Sequence, residues 1–212
     1  MASSFCYDKS MIEIKDNGEP LVEISKYCPN FINGLDPVRL KNENKLFLRK
    51  TVAQMLGKAS KSLPLGVTFR INDAWRPYEV QKHYYKLFYN RVKKNHPTWG
   101  KKRLTDYASK YVINPNDIKR AGHLTGAAVD IVLCKNGKKL PMQSLNLEQD
   151  KRNMTSFKQS SDYINFNRQL LLQVMTNVGF ANYPEEYWHY SYGDTMWAAH
   201  TNHKVAFYGV IR

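Results

Sequence analysis

The sequence predicts an α+β fold: a single domain over residues 1–212, with a central antiparallel sheet and flanking helices. Three observations carry this. Polar and apolar residues alternate at strand period around residues 67–72, apolar residues recur at helical period in several longer segments, and the two kinds of segment follow one another unevenly rather than as βαβ repeats. A chain of 212 residues, 42% hydrophobic, is long enough to bury a core without disulfide staples.

Taken in order, residues 11–14 and 21–24 read as strands separated by the Asn17-Gly18 turn. From 39 to 63, Leu40, Leu46, Phe47, Val52, Met55, Leu56 and Ala59 recur at helical spacing until Pro64 and Gly66 stop the helix. In 67–72, Val67, Phe69 and Ile71 alternate with Thr68, Arg70 and Asn72, the pattern of a half-buried strand. Pro77 opens a second helix to about Lys94, ended by Asn95-His96-Pro97, and 104–112 forms a short helix before Asn114-Pro115-Asn116. Residues 127–133 are an apolar, partly β-branched strand, followed by the hairpin signal Asn136-Gly137. Residues 138–162 read as polar and irregular. A helix over 165–178 presents Phe166, Leu170, Leu171, Val174 and Met175, with Gly179 as its stop, and 187–192 and 205–211 close as strands.

Composition narrows the classes. No window holds the ~18 uncharged apolar residues of a membrane-spanning helix. Cys6, Cys28 and Cys134 are too few and too far apart for a disulfide framework or a four-thiolate zinc site. Residues 1–15 lack the basic start and apolar core of a signal peptide, which predicts a cytoplasmic protein; a periplasmic one would require a leader already removed. The net charge of +14 falls on two segments, +6 over 39–62 and +8 over 76–103. Solvated helix faces are the simpler reading of that charge; weak polyanion binding through the basic helices is compatible with it, and no motif points to a specific nucleic acid.

The residues that carry chemistry are elsewhere. His123 is followed seven positions later by Asp130, a carboxylate inside an otherwise apolar strand, where a charge is costly unless paired or bound to a metal. One extended strand would hold the two side chains ~23 Å apart, so the chain must turn between them, and Gly126 permits it. A second cluster, Glu185-Glu186-Tyr187-Trp188-His189, can bring Glu186 and His189 to one site only if the backbone bends, as Pro184 favours. His123, Asp130 and His189 then supply two imidazoles and a carboxylate, the open ligand set of a catalytic zinc, and Glu186 is free to take a proton from the water in the fourth position. Tyr84, Tyr85, Phe88 and Tyr89 read as core and rim packing, His200 and His203 as surface residues, and Cys134 as a buried small apolar residue.

With these residues in place, the chain resembles the D-alanyl-D-alanine dipeptidases, zinc peptidases related to D,D-carboxypeptidases and the hedgehog signalling domain. The family pattern S-x-H-x-x-G-x-A-x-D followed by E-x-W-H is met by His123, Gly126, Ala128 and Asp130, then Glu186, Trp188 and His189. Asp73-Ala74-Trp75-Arg76-Pro77 resembles the family's D-A-Y-R-P, and further similarity lies in 167–171 and Gly179-Phe180, so the motif-bearing core covers about 39–192. The resemblance implies a hedgehog/D,D-peptidase-like fold and one Zn²⁺ per chain held by His123, Asp130 and His189. It also implies Glu186 as general base and then acid, Arg76 stabilising the oxyanion, and a short D-amino-acid-containing peptide as substrate. The alternative role for Arg76 is an ion pair with Asp73. Two departures bear on specificity. Ala121 replaces the family's serine, and the D-M-G-T-x-F-D segment survives only as an echo in Pro141-Met142-Gln143-Ser144. In the dipeptidases these positions help hold the substrate's free amino group. A D,D-carboxypeptidase or peptidoglycan endopeptidase, and a non-catalytic binding protein on the same fold, therefore stand as alternatives.

Overall fold

Alternation at strand period is strongest where the sheet is deepest. In β5 (Val67–Asp73), Phe69, Ile71 and Asp73 are buried while Thr68, Arg70 and Asn72 are half-buried. Its neighbour β6 (Ala128–Lys135) is buried from Ala128 to Cys134 except at half-buried Asp130, which explains the apolar run. The computed structural model describes residues 12–36, 39, 45–117, 121–143 and 149–211; Cys6, Met11, Leu40 and Ser144, each invoked above, lie outside them.

Together with β3 (Phe31–Asn33), β7 (Lys138–Lys139), β8 (Ala181–Asn182) and β9 (His189–Ser191), these strands form one sheet of order β3-β5-β6-β9-β8, with β7 also returning against β6. The pairs are antiparallel except β3 with β5, which run parallel, so the sheet is mixed rather than wholly antiparallel. A parallel pair needs a crossover, and α1 (Lys50–Lys61) lies on the connection from β3 to β5. Two small sheets flank the main one: β2 (Leu21–Glu23) antiparallel to β4 (Phe47–Arg49), and β1 (Glu13–Ile14) parallel to β10 (Val205–Ala206).

The helix expected over 39–63 is not continuous: Arg39 is helical, but residues 47–49 pair as a strand and the next helix starts at Lys50. Arg49 dictates this. Its buried guanidinium bonds to the carbonyls of Thr125 at 2.8 Å and Gly209 at 3.1 Å, to Asp16 at 2.6 Å, and to the carbonyl of Glu19. Partners drawn from three distant segments outweigh local helical periodicity. The later helices are α2 (Tyr78–Asn95), α3 (Lys101–Tyr111), α4 (Gln149–Asn153), α5 (Asp162–Thr176) and α6 (Thr195–His200). α4 falls in the stretch expected to be irregular, α6 was not anticipated, and the last strand stops at Ala206 rather than continuing to 211. α1 and α5 pack together over the sheet, joining Leu56, Leu171 and Met175 to Phe69, Ile131 and Leu133 in the main core. Phe166, assigned to the apolar stripe of α5, is instead exposed. No helix among the described residues is long and apolar enough to cross a membrane.

Candidate metal centre and active site

Three neighbouring strands come level at the site. The register pairs Asp73 with Asp130 across β5 and β6, and Asp130 with His189 across β6 and β9, with an irregularity between Ile71 and Asp73. His123 arrives from a 3-10 turn, Gly122–Thr125, which Gly126 ends in the left-handed region at φ 71°. This is the turn that the His123-to-Asp130 spacing required.

The side chains converge. Asp130 Oδ1 is 2.8 Å from His189 Nδ1 and 3.3 Å from His123 Nε2, and the two imidazoles cross at 81° with centroids 4.9 Å apart. One donor atom from each of His123, Asp130 and His189 lies within 4.8 Å of the others. The carbonyl of Ala74 lies 2.9 Å from His123 Nδ1. A carbonyl can only accept, so the His123 proton is on Nδ1 and the Nε2 lone pair faces the cluster. Donor spacings of this order suit a tetrahedral ion with ~2.0–2.1 Å bonds, whose ligand atoms sit about 3.3 Å apart.

Glu186 and His189 share the site because the segment between them is a turn, not the strand expected over 187–192. Glu186 N–H donates to Tyr183 O at 3.0 Å and His189 N–H to Glu186 O at 3.1 Å. Asn182 Nδ2 ties the turn by donating to the carbonyls of both Glu186 and His189, at 3.1 and 3.0 Å. From below, the Arg168 guanidinium lies 3.9 Å from the Tyr187 ring centroid while donating to Met142 O at 2.6 Å. Glu186 Oε2 ends 4.0 Å from His189 Nδ1.

Electrostatics distinguishes the groups. Burial pushes the Glu186 carboxyl above its ordinary pKa, although the charge on His189 opposes it. Burial acts upward on Asp130 too, but there His123 and His189 outweigh it and hold the group well below the carboxylate range. Burial alone would lower His189; its hydrogen bond to Asp130 reverses this, and its pKa is raised.

Arg76 makes the ion pair with Asp73 and also lines the cavity. Its Nε donates to Asp73 Oδ2 at 2.9 Å, Nη2 bonds the same oxygen, and Nη1 donates to Gln81 Oε1 at 2.6 Å, while the guanidinium sits 5.4 Å from the Tyr84 ring centroid. One N–H on each terminal nitrogen has no partner among the described residues, and the side chain lines the cavity beside the cluster. Asp73 also bonds buried Arg39. Burial would raise the Asp73 pKa, but Arg76, His123 and Arg39 bring it below its ordinary value. A carboxylate so lowered adds stability above its unfolded pKa and loses it as pH falls through the folded one. Asp73→Asn should therefore cost roughly 3–5 kcal/mol in denaturant unfolding at pH 7, by removing the buried carboxylate charge that pairs with both Arg39 and Arg76. It should also flatten the acid limb of the stability curve, and an unchanged midpoint and acid limb would count against this network.

The cavity over the cluster has a volume of about 410 Å³, and one wall is apolar: Leu87 and Phe88 from α2, and Val112 and Ile113 from the segment after α3. Ala121 lines it, whereas Met142 is buried in the core. Tyr84 and Phe88 are half-buried at its rim, His200 and His203 are exposed, and Cys134 is buried. The Lys and Arg residues of 76–103 are exposed apart from Arg76. Sequence reasoning passed over Gln81, Asn182 and Asp194, polar residues without a motif. Asp73 entered as the first residue of the motif with Arg76 and as its ion-pair partner, not as a residue of the site, although it shares the buried parity of Phe69 and Ile71, a signal that could have placed it there.

Three donors able to hold a metal ion, with a half-buried carboxyl group beside them at the floor of a cleft, match a class, the metallopeptidases. The chain belongs to the Peptidase_M15 family, described as D-ala-D-ala dipeptidase, whose profile matches residues 25–206. It is 27% identical over 235 residues to a D-alanyl-D-alanine dipeptidase of Synechocystis sp., covering 93% of this chain and 94% of that protein. Among solved structures it is similar to VanYB in complex with D-alanine-D-alanine, at a TM-score of 0.49 and 16% identity over 76% of this chain and 81% of that one. A mutant of the vancomycin-resistance D,D-pentapeptidase VanY in complex with Zn(II) gives a TM-score of 0.48 and 16% identity, over 76% and 83% of the two chains.

Proposed function

We propose that this protein hydrolyses the peptide bond of D-alanyl-D-alanine, or of a related short D-amino-acid-containing dipeptide, with one zinc ion held by His123, Asp130 and His189. The convergence of those three donors at the floor of the cavity, with Glu186 beside them, is the observation that carries this reading. Two imidazoles and one carboxylate match the ligand preference of zinc and leave a position for solvent. Bound there, zinc would supply Lewis acidity and lower the pKa of a water molecule.

The chain's own groups do the rest. Glu186, raised in pKa by burial, accepts the proton of the attacking water and passes it to the leaving amine. Arg76, oriented by Asp73 and Gln81, turns its remaining N–H groups to the oxyanion of the tetrahedral intermediate. Ala74 O holds the His123 ring, and Asn182 holds the turn on which base and ligand sit.

A second reading, a D,D-carboxypeptidase or endopeptidase acting on longer peptides, is favoured by Ala121 at the cavity wall and by the apolar surface that extends the cleft toward α2 and α3. One panel separates them. Free D-Ala-D-Ala should be cut, activity should vanish with chelator and return with about one zinc per chain, and N-acetylated substrates should be cut far more slowly. Cleavage of only the blocked or longer peptides would replace the dipeptidase reading with the second.

A further inference from the structure

Asp194 carries a buried carboxylate oxygen that the reaction above does not use. It lies in the bend between β9 and α6, and the residue is 1% exposed. Oδ1 is fully engaged, accepting from Trp197 N at 2.8 Å as the cap of α6 and from Ser191 Oγ at 2.7 Å. Oδ2 is buried and has no hydrogen-bond partner among the described residues. A lone carboxylate oxygen in that state is costly, and native folds keep such groups for a reason.

What faces Oδ2 can be read from Gly122. A Cβ built on Gly122 would lie 2.8 Å from Asp194 Oδ2 and 3.8 Å from His189 Nε2, so the glycine leaves clear the space that these two atoms flank. The Asp194 charge also acts on the His189 ring. His189 presents Nδ1 to Asp130 and Glu186, so when Nδ1 serves as a metal ligand its proton must reside on Nε2, on the Asp194 side. Metal-bound imidazoles commonly donate that second N–H to a carboxylate, which fixes the tautomer and strengthens the ligand.

We propose that Asp194 is a positioning residue of the metal centre: its Oδ2, which has no hydrogen bond among the described residues, takes the Nε2–H of His189 when zinc binds and so holds the ring in the tautomer whose Nδ1 ligates the ion. This rests on the zinc reading above. The other use for such a carboxylate, gripping the substrate's ammonium group, is disfavoured because Oδ2 is covered by protein although the residue borders the cavity.

Asp194→Asn tests it, because asparagine keeps an acceptor for Trp197 N and preserves the helix cap, while its amide oxygen cannot serve both the cap and the ring. In competition with a chromogenic chelator, the full-length variant should bind zinc about 10–100-fold more weakly than the wild type, with the thermal midpoint of the metal-free protein unchanged. Zinc affinity equal to wild type would overturn the proposal, as would a raised KM for the free dipeptide with zinc affinity intact. A wild type that binds no zinc would instead overturn the metal reading itself. Should the variant not fold, nitrogen-15 NMR of the zinc-loaded wild type decides: a proton on His189 Nε2 supports the assignment, and one on Nδ1 refutes it.

Discussion

Glu186→Gln should retain about one zinc ion per chain and lose about 10²–10⁴-fold in kcat, the range that a positioned general base supplies. Glutamine matches glutamate in size and can still accept a hydrogen bond, but it cannot take a proton from water at neutral pH. The variant therefore isolates proton transfer from packing. Glu186 Oε2 is 4.0 Å from His189 Nδ1, while Asp130 Oδ1 is 2.8 Å from the same atom, so the ion-binding donors are complete without Glu186. Removing a second negative charge beside Asp130 should leave the metal-free fold at least as stable. The measurement pairs zinc content by elemental analysis with single-turnover hydrolysis. If turnover survives intact, Glu186 is not the base; if zinc disappears with it, Glu186 is a ligand and the donor set needs redrawing.

Much of this site was legible because its chemistry runs against its surroundings. Asp130 is conspicuous as a charge in an apolar strand, and Gly126 and Pro184 mark where the backbone has to bend. What a sequence pattern cannot carry is the side chain whose importance comes from a neighbour distant in the chain. Asn182 looks like any loop asparagine until its amide is seen spanning the carbonyls of Glu186 and His189. Asp194 reads as a helix cap, and only the position of Gly122 turns attention to its other oxygen. The same limit applies to the fold. β5 and β6 announce themselves by alternation and by an apolar run, but β3 is three half-buried residues whose parallel pairing with β5 has no local signal. The start of α1 was misjudged because Arg49 takes its partners from residues 16, 19, 125 and 209, none within reach of a periodicity argument.

Asp130→Asn is the companion experiment, and its effect falls on the ion rather than on the proton. Asp130 is the hub of the cluster, with one oxygen within 3.3 Å of both imidazoles, and it is a poorer ligand as a neutral amide. Zinc affinity at neutral pH should fall by more than the about 100-fold that loss of a supporting hydrogen bond costs, and hydrolysis should fall with it. The same charge sets the pH dependence of zinc binding. In the metal-free protein Asp130 raises the His189 pKa, so a proton competes with the ion for Nδ1 up to a higher pH than at an ordinary histidine. Wild-type zinc affinity should therefore climb as pH rises through that raised pKa. In Asp130→Asn the raising charge is gone, so the climb should be complete at a lower pH even though the affinity it reaches is weaker. The metal-free forms should draw together in stability on acidification. The lowered Asp130 pKa stabilises the wild type above the ordinary carboxylate value, and that contribution fades as pH drops below it, whereas the variant has none to lose. Zinc titrations from about pH 5 to about pH 8, on either side of the ordinary histidine pKa, would show both features. An affinity that matched wild type across that range would remove Asp130 from the donor set.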